Sequence, residues 1–233
     1  MATILSLDTA TKRCSVVLAD GARVLAFREE ENERHTHAER LNVFIQDVLE
    51  EAGVNMSALD AVAVGIGPGS YTGLRIGLSA AKGLCFALRI PLIGMSTLEV
   101  LLHELLAMDP LIPPGAVLMP MVDARRMEVF TLSAERNGEP LEAARPLVMD
   151  EAWLGGLPTG RTTVVFGDGA DKASELWIDR SHVIHVPGIR PAHTGLAVLG
   201  DVHYRKESFS DLAYLVPDYG KPANVTQPRK RLS

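Results

Sequence analysis

Two aspartates close apolar runs in this 233-residue chain: Asp8 follows Ile4-Leu5-Ser6-Leu7, and Asp123 ends the run 117–122. Carboxylates placed at two strand ends can hold a Mg²⁺–nucleotide if they face each other across a cleft. Alternatively, each caps its own turn. The stretch Gly67-Pro68-Gly69-Ser70-Tyr71-Thr72-Gly73 stands between a strand-like run and a helix-like run. Backbone N–H groups and a helix dipole can hold an anion there. Gly67, Gly69, Ser70, Thr72, Gly73 and Arg75 are the candidate nucleotide or anion loop, and a structural turn is the other reading. No Gly-Lys-Ser/Thr follows, so this is no Walker loop, and the third glycine falls one residue late for the dinucleotide fingerprint. Ser70 lacks the G-x-S-x-G elbow of a nucleophilic serine. His35, His37, His103, His182, His185, His193 and His203 form neither H-E-x-x-H nor H-x-x-x-H, and Cys14 and Cys85 form no C-x-x-C pair. Solvated or capping histidines are expected, with no metal site and no catalytic residue.

The elements that position these residues read as α/β. Ser15-Val16-Val17-Leu18-Ala19 and Arg23-Val24-Leu25-Ala26-Phe27 flank Asp20-Gly21, a hairpin signal, so three strands open the chain. Thr36-His37-Ala38-Glu39 predicts a capping box, and Leu41, Phe44, Ile45, Val48, Leu49 and Ala52 recur at helical spacing up to a stop at Gly53. A strand at 61–64 leads into the glycine-rich stretch, a helix covers about 74–88, and a strand spans 91–95. Ser96-Thr97-Leu98-Glu99 predicts a second capping box, opening a helix to about 108. Asp109-Pro110-Leu111-Ile112-Pro113-Pro114-Gly115 marks a boundary. Beyond it the order strand, Asp123, strand, Asn137-Gly138 turn repeats that of the start, in topology more than in residues. A short helix near 172–176, a strand at 183–186 and a helix at 191–206 follow, with Pro191 in its first turn. The expected organisation is one subdomain of 1–109 plus about 191–219, a second of 110–190, and a basic tail at 220–233.

Hydrophobic residues at 47% and charged residues at 22% describe an ordinary globular protein. The net charge of −6 argues against nucleic-acid binding by the chain alone, since phosphate contacts need a basic face. No run of about 18 apolar residues predicts a membrane span. The start, Met1-Ala2-Thr3, has no basic region or cleavage site of a signal peptide, and two separated thiols fit a reducing compartment, so a cytoplasmic location is expected.

The 74–88 helix is apolar nearly all round. Gly73, Gly77, Ala81 and Cys85 form one stripe of small residues, and Ser79, Gly83 and Ala87 a second, nearly opposite. Such a helix must be covered on more than one side, either inside its own chain or by its sheet on one face and a second protein on the other. The second reading makes Leu41, Val43, Phe44, Ile45, Val48, Leu74, Gly77, Leu78, Ala81 and Cys85 a partner interface, two helices from each side forming a four-helix contact.

Gly67-Pro68-Gly69-Ser70-Tyr71-Thr72-Gly73-Leu74-Arg75-Ile76-Gly77, Ala81-Lys82-Gly83-Leu84 and Pro91-Leu92-Ile93-Gly94 resemble the signature of the TsaB (YeaZ) family. Asp8-Thr9-Ala10-Thr11, His35-Thr36-His37 and Asp123-Ala124-Arg125-Arg126-Met127-Glu128-Val129-Phe130 also resemble its pattern; Tyr219-Gly220-Lys221 departs from it. The resemblance implies a duplicated actin-like ATPase (ribonuclease H-like) fold of two subdomains. It implies a non-catalytic subunit that supports TsaD in transferring threonylcarbamoyl from its adenylate to N6 of the adenosine next to the anticodon. TsaE is an implied further partner, tRNA is met only through the complex, and the chain self-pairs when alone. No cofactor is tightly bound, and ATP or ADP would sit at the interface with TsaD. By the same similarity, two metal-binding histidines of TsaD correspond to Ser96 and Val100, which cannot ligate as imidazoles do. A freestanding actin-fold ATPase or kinase and a metallopeptidase-like protein are the competing classes.

Overall fold

The computed structural model describes residues 1–31, 37–108, 111–157 and 159–221. The expected capping box at Thr36, His35 and the tail past Lys221 lie outside them. β1 (Thr3–Asp8), β2 (Arg13–Asp20) and β3 (Arg23–Glu31) make the antiparallel meander predicted from Asp20-Gly21, with Gly21 at φ 60° in the turn. β4 (Ala61–Gly67) joins the free edge of β1 in parallel, and β5 (Leu92–Ser96) joins β4, giving the order β3-β2-β1-β4-β5. The second sheet repeats this plan. β6 (Val117–Asp123), β7 (Glu128–Ala134), β8 (Pro140–Val148), β9 (Thr163–Phe166) and β10 (Val183–Val186) run in the order β8-β7-β6-β9-β10, three strands antiparallel and the last two added in parallel. The fold is thus α/β and duplicated, with Asp8 and Asp123 at equivalent strand ends.

Strand alternation sets the layers. Leu5 and Leu7 of β1 face one core together with Phe44 and Val48 of α1 (His37–Ala52) and Leu78 of α2 (Tyr71–Leu88). Ile4 points the other way, toward Leu196 and Leu199 of α6 (His193–Arg205). α3 (Thr97–Ala107) packs on α6 and also on β6 and β7, so the α3–α6 layer lies between the sheets. The far face of the second sheet is covered by α4 (Glu151–Gly155), by α5 (Asp168–Asp171) and by a 3₁₀ turn at Ser174–Trp177. The last two elements replace the single helix expected near 172–176.

The cap at Ser96 differs from expectation: it is the N-cap residue of α3, but its side chain makes no capping bond. α6 starts two residues later than Pro191 suggests, and Ala192 gives it no side-chain cap. Two carboxylates from elsewhere serve instead. Glu29 of β3 accepts from the His193 amide and Glu104 of α3 from the Gly195 amide, each at 2.6 Å. They satisfy free N–H groups at a helix N-terminus, where negative charge is favoured, and they fix α6 to both neighbours.

Candidate functional site

The glycine-rich turn is committed to packing. Ser70 is the N-cap of α2: its Oγ accepts from the Gly73 amide at 3.3 Å, and its own amide donates to the Ala10 carbonyl at 2.6 Å. A Cβ on Gly69 or Gly73 would fall within 3.0 Å of the Ala10 or Thr9 carbonyl oxygen, and one on Gly67 as close to the Asp218 carbonyl. These glycines let backbone meet backbone. Thr72 and Arg75 are exposed, but the Arg75 guanidinium lies over the Tyr71 ring at 4.0 Å and donates to Tyr219 Oη at 2.9 Å. The amides of Ser70, Gly73 and Leu74 all have internal acceptors. The packing of Gly67, Gly69, Ser70 and Gly73 fits the structural-turn reading of this loop.

The two aspartates also serve their own turns. Asp8 Oδ1 accepts from the Ala10 amide at 3.1 Å and Asp123 Oδ1 from the Arg125 amide at 2.7 Å, the same two-residue step in both halves. Asp8 is 1% exposed, and its other oxygen has no partner among the described residues. Burial raises its pKa to about 7, against a smaller opposing pull from the Ala10 amide. Asp123 is more open and pairs with Lys172. The enclosure of Asp8 and the turn bond that each aspartate accepts fit the reading in which each caps its own turn.

The structure corrects the proposed interface residue by residue. Leu41, Phe44, Ile45, Val48, Leu74, Gly77, Leu78, Ala81 and Cys85 are all buried within the chain itself; of the ten, only Val43 is exposed. The stripe Gly73-Gly77-Ala81-Cys85 faces the chain's own first sheet. A Cβ on Gly77 would sit within 3.0 Å of Thr9 Oγ1 and 3.5 Å from Val64 Cγ2. Periodicity located the apolar stripes and could not say which one faced inward. The outer surface of this helix pair carries Asn42, Val43 and Gln46 on α1 and Ser79, Gly83, Phe86 and Ala87 on α2. Phe86 is 78% exposed. A groove of about 440 Å³ beside them is lined by Asn42, Ile45, Gln46, Leu49, Glu50, Met56 and Leu84.

Sequence reasoning missed a strap. After α6 the chain turns back along α2: Ser210 exchanges bonds with Leu92 and Gly94, Lys82 donates to the Ala213 carbonyl, and the Asp218 amide donates to Ile66. Tyr219 stacks on Tyr71 at 4.8 Å. Lys221 pairs with Glu128, and Gly220 lies against Phe130, so the strap ends on the second sheet. Leu212 and Leu215 were the only sequence signal for it, packing as they do on the α1–α2 core.

Among the described residues no group of three or more His, Cys, Asp or Glu side chains could hold a metal ion. His185 contacts Asp171 at 2.9 Å, and His193 stacks on Phe27 at 3.9 Å. Burial and the nearby His203 and Lys206 keep the His103 pKa below its ordinary value. Val100, one of the two places where the family resemblance implied a lost metal ligand, is fully buried among aliphatic side chains. No helix is long and apolar enough to cross a membrane among the described residues.

Comparison with known proteins agrees with this architecture. Residues 30–158 match the family described as TsaD, tRNA N6-adenosine threonylcarbamoyltransferase. The tRNA threonylcarbamoyladenosine biosynthesis protein TsaB of Bacillus subtilis is 30% identical over 227 residues, 93% of each chain. Its Escherichia coli counterpart is 36% identical over 156 residues, a match that spans 64% of either chain. The solved structure of YeaZ from Pseudomonas aeruginosa is 28% identical, with a TM-score of 0.78, covering 94% of this chain and 100% of that one. The shared architecture is the two-subdomain actin-like ATPase fold.

Proposed function

Because the chain belongs to the TsaB (YeaZ) family, we propose that it acts in tRNA threonylcarbamoyladenosine biosynthesis as a non-catalytic subunit that supports TsaD. The observation that carries this reading is the contrast between its two sets of groups. The side chains able to do chemistry are withdrawn, with Asp8 buried, Ser70 capping α2 and Asp123 held by Lys172. The outer face of α1 and α2 meanwhile leaves Val43 and Phe86 in solvent. In this proposal that face meets TsaD, and meets a second copy when the chain is alone. The residues making the contact are Asn42, Val43, Gln46, Gly83 and Phe86, and the buried stripe supports them from beneath. TsaE joins the same assembly, tRNA is engaged through the complex, and ATP or ADP is held at the contact with TsaD. The buried thiols of Cys14 and Cys85 suit the reducing cytoplasm in which this work takes place.

The test is assembly. Wild-type chain mixed with TsaD should give a complex by light scattering, and the Val43→Glu, Phe86→Glu double variant should remain folded and fail to assemble. Undiminished assembly of that variant would place the contact elsewhere. Metal-dependent turnover by the pure chain, lost with chelator and restored by zinc or iron, would overturn the non-catalytic assignment.

A further inference from the structure

The turn joining β6 to β7 has an unusual backbone. Arg125 and Arg126 both adopt left-handed conformations, at φ 70° and 51°. Consecutive non-glycine residues rarely do so, because the Cβ crowds the backbone. The turn is held from both sides: the Ala124 amide donates to the Glu128 carbonyl, the Glu128 amide to the Arg125 carbonyl, and the Arg125 amide to Asp123 Oδ1. Glycine or asparagine would occupy these positions with less strain, so something other than turn geometry favours arginine.

The electrostatics point outward. Arg13, Arg23, Arg28, Arg40, Arg145, Arg161, Arg190 and Arg205 each pair with a carboxylate, and Arg75, Arg136 and Arg180 donate to neutral oxygens, while Arg89 is a single exposed arginine at φ 59° at the end of α2. Arg125 and Arg126 are exposed, with no side-chain partner among the described residues. The two acids of their own turn do not oppose them, because each is taken by a lysine from another element. Lys172, just past α5, holds Asp123, and Lys221 of the strap holds Glu128. Four cations therefore gather with Asp123, Glu128 and the half-buried Asp168, whose Oδ1 accepts from the Asp123 amide at 2.9 Å, at one hairpin of a chain whose net charge is −6.

We propose that Arg125 and Arg126 form a phosphate contact for the RNA substrate, reaching the sugar–phosphate backbone of tRNA once the chain is part of its assembly. This rests on the proposed role in tRNA modification and adds to it a point of contact on this chain. Paired guanidinium groups suit phosphate oxygens as recipients. The contact is sequence-independent, since phosphates position an RNA and do not specify its bases. Two contacts are too few to give the free chain useful affinity, in keeping with its overall charge.

The test uses the full chain assembled with TsaD and unmodified tRNA as the probe, comparing wild type with Arg125→Gly, Arg126→Gly and with Arg125→Lys, Arg126→Lys. Gly removes both charges and suits the left-handed backbone, so the fold should survive; Arg125→Gln, Arg126→Gln is the second variant should it not. Expected for the Gly and Gln pairs is normal assembly, tRNA affinity lower on the order of tenfold, and a plot of log K against log salt shallower by about 1 to 2. The Lys pair should keep most of the affinity and the slope. Unchanged affinity and slope in an intact assembly overturn the RNA contact. So does weakened binding of TsaD with tRNA affinity of the remaining complex unchanged, which would make the arginines a protein contact. If tRNA modification by TsaD does not depend on this chain at all, it is the proposed function that fails.

Discussion

Replacing Gly77 with alanine distinguishes an inward-facing stripe from an exposed one. On a partner-facing surface this change would leave the isolated chain as stable or more so, because alanine favours helix by about 1 kcal/mol over glycine. The structure predicts the opposite. The new methyl would lie within 3.0 Å of Thr9 Oγ1, and that hydroxyl is fixed by its hydrogen bond to the Gly73 carbonyl at 2.7 Å. Overpacking a tight core costs about 1–3 kcal/mol, and breaking the hydroxyl bond costs roughly 0.5–1.5 kcal/mol more. Less the helix-propensity gain, the net loss is on the order of 2 kcal/mol, or about 4–8 °C in melting temperature for a chain of this size. Urea denaturation followed by circular dichroism measures it. A Thr9→Ala background removes the obstructing oxygen, so the same substitution there should cost far less, with a coupling of about 1–2 kcal/mol in the double-mutant cycle. If Gly77→Ala is neutral in both backgrounds, the packing of α2 on the β1–β2 turn has been misread.

Asp8 should make stability fall with rising pH. Its folded pKa stands near 7 against an ordinary 3.8, so the stability present below 3.8 is lost progressively up to about 7 and stays lost above. Asp8→Asn should remove that part of the pH dependence, and superimposable pH–stability curves for the two proteins would refute the burial argument. Val43→Glu and Phe86→Glu, both at exposed positions, should each change stability of the isolated chain by no more than about 0.5 kcal/mol; a larger fall in urea melts would mean that these side chains are packed inside. Tyr219→Ala should loosen the strap by removing the ring contact with Tyr71 and the bond from Arg75, a pair worth about 0.5–1.5 kcal/mol beyond area. Hydrogen exchange at the Asp218 amide, which donates to Ile66, should quicken. Exchange unchanged there would show that the strap is held from its other contacts.

Much of the fold was legible because its signals are local. Asp20-Gly21 fixed a hairpin, the short apolar run 4–7 placed β1, and the 3.6-residue spacing of Leu41, Phe44, Ile45 and Val48 placed α1. The duplication was readable from order alone, and the matching Asp8 and Asp123 turn bonds make it visible in atoms. What escaped has a physical reason. β8 is an edge strand exposed over nearly its whole length, so it has no buried face to create alternation. The caps of α6 come from Glu29 and Glu104, which are 164 and 91 residues away from the amides they hold. α2 has small residues on opposite faces, and only the position of Thr9 decides that Gly73-Gly77-Ala81 faces inward. The strap has almost no periodicity, since hydrogen bonds to strand edges and one ring stack hold it in place. The pairing of Lys172 and Lys221 with acids of the β6–β7 turn is likewise invisible in sequence, and it is what leaves Arg125 and Arg126 unopposed.

The most direct measurement is reconstitution of tRNA threonylcarbamoylation from purified TsaD, TsaE, threonylcarbamoyl-adenylate and unmodified tRNA, with this chain present or omitted. The proposed role predicts modification that depends on the chain. Activity should fall with the Val43→Glu, Phe86→Glu pair, and the chain alone should transfer nothing. Equal modification in its absence, or transfer by the chain without TsaD, would contradict it.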